Sequence, residues 1–317
     1  MKTTIFCLVL LSLFLAACTT APTPTNTSTP TKIPTQTPTS TPAPTNTITP
    51  TITLTFTPTL APTAIVQPVV LTKSPDLILA VDKPSREACY PDLKVLYTLP
   101  SEDRVLLASE LVFYGKLFVD IYYPPGYHFD KKLPIVILAH GFPGSELCDK
   151  DMPQHIAWAK LIAASGMIAV SAQPGDNPSE SQNHLLDYLA ANAGQLGIDP
   201  SRIGFWVVSG QGDPVTDAFS KSQYSDNFKA AVFMYSSSNI PILWPKNLAL
   251  FVVKAGKDND SGDLLDLLVN NAKENKIPVK YVDLPDEDHA FDTNQNTQDV
   301  NHTIQQALDF YKQVLLK

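Results

Sequence analysis

The residues best suited to chemistry stand at or just beyond the ends of strand-like runs. Ser209 follows Ile203–Val208 and precedes Gly210-Gln211-Gly212; Asp258 follows Leu248–Lys254 within Gly256-Lys257-Asp258; His289 follows Pro278–Leu284 within Asp288-His289-Ala290-Phe291. A fourth group, His140-Gly141-Phe142, closes the run Ile135–Ala139. Serine, histidine and aspartate together can transfer acyl groups. A serine hydroxyl is a weak nucleophile at neutral pH and needs an adjacent base. An imidazole takes such a proton near its own pKa. A buried carboxylate holds the imidazole in the useful tautomer and stabilises its cation. Two backbone N–H groups complete the set by binding the oxyanion, each contributing on the order of 3 kcal/mol. Asp260 and Asp263 rival Asp258 for the acid's role, and an ordinary loop residue is the plain alternative at all three positions.

Such residues converge only if the runs before them lie side by side. From about residue 100 the patterns of strand and helix take turns. Val105–Phe113 and Lys116–Tyr123 read as a hairpin about Tyr114-Gly115, ended by Pro124-Pro125. Ile135–Ala139, Met167–Ala172, Ile203–Val208, Ala230–Tyr235, Leu248–Lys254 and Pro278–Leu284 read as further strands, and the continuous apolar run of Ile135–Ala139 suits a strand buried on both faces. Between them, His155–Ser165 before Gly166, the face Leu185-Leu186-Leu189-Ala193-Leu196 before Gly197, the face Leu264-Leu265-Leu268-Val269-Ala272, and Thr303–Leu316 read as helices. Alternation of this kind predicts a mostly parallel sheet covered by helices on both faces, with an N-terminal antiparallel hairpin. Chemistry in such sheets sits beyond the carboxyl ends of the strands, where Ser209, Asp258 and His289 fall.

From about residue 103 onward the sequence resembles the α/β-hydrolase superfamily, in particular its dienelactone-hydrolase-like and acyl-esterase branches. The resemblance is carried by Val136–Phe142, by Leu196-Gly197-Ile198-Asp199-Pro200-Ser201-Arg202-Ile203-Gly204, by Phe251–Asp258 and by His289-Ala290-Phe291-Asp292. The order Ser, Asp, His along the chain is that of the superfamily's triad. The resemblance implies the α/β-hydrolase fold, Ser209 as nucleophile, Asp258 as acid and His289 as base, with the N–H groups of Gly210 and Phe142 as oxyanion hole. One departure stands out. The pattern G-x-S-x-G expects small residues two before and two after the serine, and here they are Val207 and Gln211.

The N-terminal part reads differently. Lys2, an apolar run Ile5–Ala16 and Leu15-Ala16-Ala17-Cys18 read as a secretory signal at residues 1–17, too short to span a bilayer comfortably. The ending resembles the lipobox of bacterial lipoproteins, which implies acylation of Cys18. Residues 18–68 form a Thr/Pro-rich linker holding 11 of the chain's 28 prolines, so neither helix nor sheet can propagate there. An extended spacer at ~3.1 Å per residue is expected. The folded domain is then residues 69–317, outside the cytoplasm and anchored to a bacterial membrane by lipid. On this reading, Cys18→Ala should release the protein from the membrane fraction or block its processing. Unchanged fractionation and unchanged lipid labelling would defeat the expectation.

Cys89 and Cys148 remain as a candidate disulfide in a compartment that permits one. Their spacing is not that of a zinc site, and His128, His155, His184 and His302 show no pairing. His140 reads as support for its loop, and Asp286-Glu287-Asp288 as a solvated acidic run. Neither cofactor nor metal is expected. A net charge of −8 without a Lys/Arg cluster argues against nucleic acid as partner. The expected substrate is a small-molecule or polysaccharide-borne ester. The alternatives are a hydrolase-fold surface domain that binds without catalysis and, less well supported, a peptidase.

Overall fold

The computed structural model describes residues 67–83, 93–139, 149–258 and 262–317. The signal and nearly all of the linker lie outside them, as do Cys18, Cys89, Cys148, His140, Phe142 and Asp260. Nine strands form one sheet: β1 (Ile78–Leu79), β2 (Leu106–Tyr114), β3 (Leu117–Tyr123), β4 (Leu133–Ala139), β5 (Ile168–Ala172), β6 (Ile198–Val208), β7 (Phe228–Met234), β8 (Ala249–Ala255) and β9 (Val279–Leu284). Their order across the sheet is β1-β2-β3-β5-β4-β6-β7-β8-β9. Pairings from β5 through β9 are parallel, and β1, β2 and β3 join antiparallel at one edge, as the hairpin pattern predicts.

The helices are α1 (Pro153–Ala164), α2 (Pro178–Ala191), α3 (Gly212–Lys221), α4 (Gly262–Glu274), the single turn α5 (Phe291–Asn294) and α6 (Gln298–Leu315). Alternate residues of the central strands enter opposite cores. Ile135, Ile137, Phe205 and Val207 pack with Leu185, Leu189, Val215, Phe219, Leu265 and Leu268, whereas Val136, Leu138, Trp206 and Val208 pack with Trp158, Ile162, Ile304 and Tyr311. A strand apolar on both faces is stable only between two helical layers, which explains the continuous apolar runs.

Three boundaries differ from expectation for identifiable reasons. β6 begins at Ile198 rather than Ile203 because Leu133 pairs with Ile198 ahead of a register shift. Asp199 pins that shift, accepting from the Ser201 N–H at 3.0 Å and from Arg202 Nε at 2.7 Å, while Arg202 Nη1 donates to the Leu315 carbonyl. The Asp-Pro-Ser-Arg run thus also docks the C-terminal helix. α2 stops at Ala191, short of Ala193 and Leu196. There the Asn192 amide accepts from the Leu71 N–H and donates to the Val69 carbonyl, contacts over a hundred residues away in sequence. β7 ends at Met234, since Tyr235 turns to a φ of 40°.

A buried ionic cluster joins the hairpin to the segment before α1. Lys150 Nζ lies 2.5 Å from Glu110, 3.2 Å from Asp120 and 3.1 Å from Asp151. Lys83 pairs with the same Asp120 and with Asp151. Lys150 and Asp120 are fully buried. Burial alone would raise the Asp151 carboxyl, but the two ammonium groups outweigh it and hold it below the usual carboxylate range. The three carboxylates lie close enough to share a metal ion, yet two lysines already supply the countercharge.

Candidate active site

The parallel strands β6, β8 and β9 each deliver one functional side chain from the same end of the sheet. Ser209 follows β6 directly, at the start of a short 3₁₀ turn (Ser209–Gln211) that leads into α3. Its φ is 51°, a left-handed conformation that a residue with a Cβ adopts only when its surroundings enforce it. This sharp turn lifts the hydroxyl above the sheet edge, where it stays half-buried. The departures at Val207 and Gln211 do not prevent the turn. Val207 is a fully buried core residue of β6, and Gln211 is buried beside the end of β4. The close approach that small residues would permit falls instead on Gly212, where an added Cβ would lie 1.6 Å from the Ser237 carbonyl oxygen. The Ser236 hydroxyl donates to the Ser209 carbonyl at 2.7 Å, so the loop after β7 braces the elbow.

Asp258 sits beyond β8 in a turn closed by its own N–H to the Ala255 carbonyl, and the Lys257 N–H donates to the Glu287 carbonyl. Gly256 lets that turn lie against the end of β9: a Cβ there would meet Pro285 Cα at 2.4 Å. The Asp258 side chain is 3% exposed and that of His289 is 42% exposed. His289 Nδ1 lies 2.7 Å from Asp258 Oδ2, and His289 Nε2 lies 3.0 Å from Ser209 Oγ. A carboxylate only accepts, so Nδ1 carries the proton and Nε2 is left to accept from the serine. The three expected residues are therefore brought together, across 31 and 80 positions of sequence. Asp263 is instead taken up in the first turn of α4. Gly210 is exposed next to Ser209, while Phe142 lies outside the described residues.

Sequence reasoning passed over the residues beneath the histidine. The Tyr235 ring lies against the imidazole with centroids 4.7 Å apart. Its hydroxyl donates to Asp292, a fully buried carboxylate. Gln154 and Trp158 of α1 also donate to Asp292. Only the place of Asp292 three residues after His289 hinted at this; the others come from distant segments.

No family model matches the sequence, and no curated protein matches it. Solved structures do resemble it. An esterase of Rhizomucor miehei gives a TM-score of 0.53 at 15% identity, covering 66% of this chain and 84% of its own. An α/β-hydrolase enzyme from a Medee basin deep-sea metagenome gives 0.53 at 17% identity, over 67% of this chain and 98% of the other. A thermostable esterase from Pseudomonas putida gives 0.54 at 12% identity, over 67% and 83%. At such identities the shared property is the arrangement of the backbone, and by that arrangement this chain has the α/β-hydrolase fold.

Proposed function

We propose that the chain is a serine hydrolase that cleaves carboxylic esters through an acyl-enzyme on Ser209. The observation that carries this reading is the hydrogen-bonded line from Ser209 through His289 to Asp258, set at three strand ends. In this mechanism Ser209 Oγ attacks the ester carbonyl carbon while its proton passes to His289 Nε2. Asp258 holds the imidazolium so formed, and the N–H groups of Gly210 and Phe142 receive the oxyanion. The tetrahedral adduct collapses, the C–O bond to the alcohol breaks, and His289 returns the proton to the departing oxygen. Water then repeats the sequence on the acyl-enzyme, releasing the acid and restoring Ser209. The likeness to esterases of the same fold adds support. The reading includes export and a lipid anchor on Cys18, supported by Leu15-Ala16-Ala17-Cys18 and the linker behind it.

The test is covalent labelling. Wild-type protein should take up one fluorophosphonate on Ser209, located by peptide mass spectrometry, and should hydrolyse p-nitrophenyl acetate. Absence of both, across a broad ester panel, would leave a non-catalytic binding domain as the better account.

A further inference from the structure

Among the described residues, five without glycine's freedom hold a positive φ, and three of them surround the site: Ser209, Tyr235 at 40° and Ala290 at 60°. Such conformations cost energy and persist only where neighbouring contacts fix them. For Ser209 the reason is the hydroxyl presented to His289. The other two meet in one buried structure. Tyr235, 1% exposed, ends its strand by turning its ring under His289, at an interplanar angle of 57°. Phe291 meets the same ring edge-on at 5.3 Å. The Tyr235 hydroxyl donates to Asp292 Oδ1 at 2.6 Å, and Ala290 supplies a left-handed turn between His289 and Asp292.

Asp292 has no Lys or Arg partner among the described residues, yet it is fully buried. A buried carboxylate without a cation is expensive unless dense hydrogen bonding replaces water. Here Trp158 Nε1 donates at 2.7 Å and Gln154 Nε2 at 3.0 Å to Oδ2, and Gln154 Nε2 also reaches the Tyr235 oxygen at 2.8 Å. Apolar residues would fill this space at less cost. What the polar set adds is direction: Trp158 and Gln154 fix Asp292, Asp292 and Gln154 fix the phenol hydroxyl, and the phenol ring meets the imidazole in a tilted contact.

We infer that Asp292 and Tyr235 are positioning residues for His289, Asp292 locking the phenol ring and the ring holding the imidazole plane in line between Ser209 and Asp258. This inference rests on the hydrolase reading above. The loop after β7 then serves both partners of the proton transfer, bracing Ser209 through Ser236 and His289 through Tyr235.

The test compares Tyr235→Leu, Tyr235→Phe and Asp292→Asn in the full chain by two readouts. The first is p-nitrophenyl acetate kinetics, normalised to serine that takes up fluorophosphonate. Tyr235→Leu should lower kcat by about tenfold or more with KM unchanged, since misplacing a catalytic group costs rate rather than binding. Tyr235→Phe keeps the ring but frees it from Asp292 and should fall between Leu and wild type. Asp292→Asn, which turns a donor toward Trp158 or Tyr235, should resemble Tyr235→Leu. The second readout is the proton resonance of His289 Nδ1–H, which needs no turnover; it should shift or broaden in the same order. A purely structural role would lower the thermal midpoint while leaving kcat per labelled serine and the resonance unchanged, and that result overturns the inference. If Asp292→Asn does not fold, Tyr235→Phe decides, because it removes only one hydroxyl. A wild type that turns over no ester defeats the hydrolase reading, while the resonance still decides whether Tyr235 and Asp292 hold the ring.

Discussion

Ser209→Ala and His289→Ala are each expected to reduce kcat for ester hydrolysis by a factor on the order of 10⁶, and the double variant should be scarcely worse than either. The reason is that one proton moves along one line. Without Ser209 Oγ there is no nucleophile 3.0 Å from Nε2; without His289 the hydroxyl keeps its proton. Neither change should unfold the chain. Alanine retains the Cβ that serine already carries through the left-handed turn, and the His289 side chain is largely at the surface, so its removal opens no core cavity. Asp258→Asn should cost roughly 10⁴-fold, since an amide can turn an N–H toward Nδ1 and favour the wrong tautomer. Steady-state kinetics beside thermal unfolding checks all four variants. Strictly multiplicative losses in the double variant would show that Ser209 and His289 do not act on the same step.

The largest loss of stability is expected from Lys150→Met, about 3–5 kcal/mol. Lys150 is fully buried, and its ammonium serves Glu110, Asp120 and Asp151 at once. Asp120 is fully buried too, accepting from the Glu110 N–H at 2.8 Å and from the Ser109 hydroxyl at 3.2 Å. Methionine fills most of the volume, so the cost comes from charge: Asp120 and Asp151 would lose one of the two lysine ammonium groups that face them among the described residues. The same cluster sets a pH dependence. Because the Asp151 carboxyl is held low in the folded chain, its contribution is present above the ordinary carboxylate pKa. It is lost as pH falls through the depressed value, and Lys150→Met should shrink that acid-side slope. Urea unfolding at neutral and acid pH measures both effects. A neutral-pH loss below about 1 kcal/mol would mean that the cluster relaxes or takes up water in the variant.

The arrangement of elements was legible in the sequence because burial imposes period. Ile135–Ala139, Ile203–Val208 and Leu248–Val253 are apolar throughout because helices cover both faces of the sheet. The candidate triad was legible for a related reason: Ser209, Asp258 and His289 are polar residues placed where such runs end, and parallel strands bring their ends to one side. Boundaries were less so. β6 gained Ile198–Arg202 because Leu133, far along the chain, pairs with Ile198, and α2 lost Ala193 and Leu196 because the backbone tightens there, the Ala193 N–H turning to the Ala190 carbonyl. The elbow shows the same limit. Its pattern points to Gln211 as the crowded position, whereas the tertiary contact with Ser237 falls on Gly212. Two further features belong to the tertiary structure alone. Lys83, Glu110, Asp120, Lys150 and Asp151 look like scattered surface charges until the hairpin folds over them, and Gln154, Trp158, Tyr235 and Asp292 come from three separate segments. Hydrophobic period is a local property that sequence displays directly. The pairing of a buried charge depends on which distant segments meet, and only the folded chain decides that.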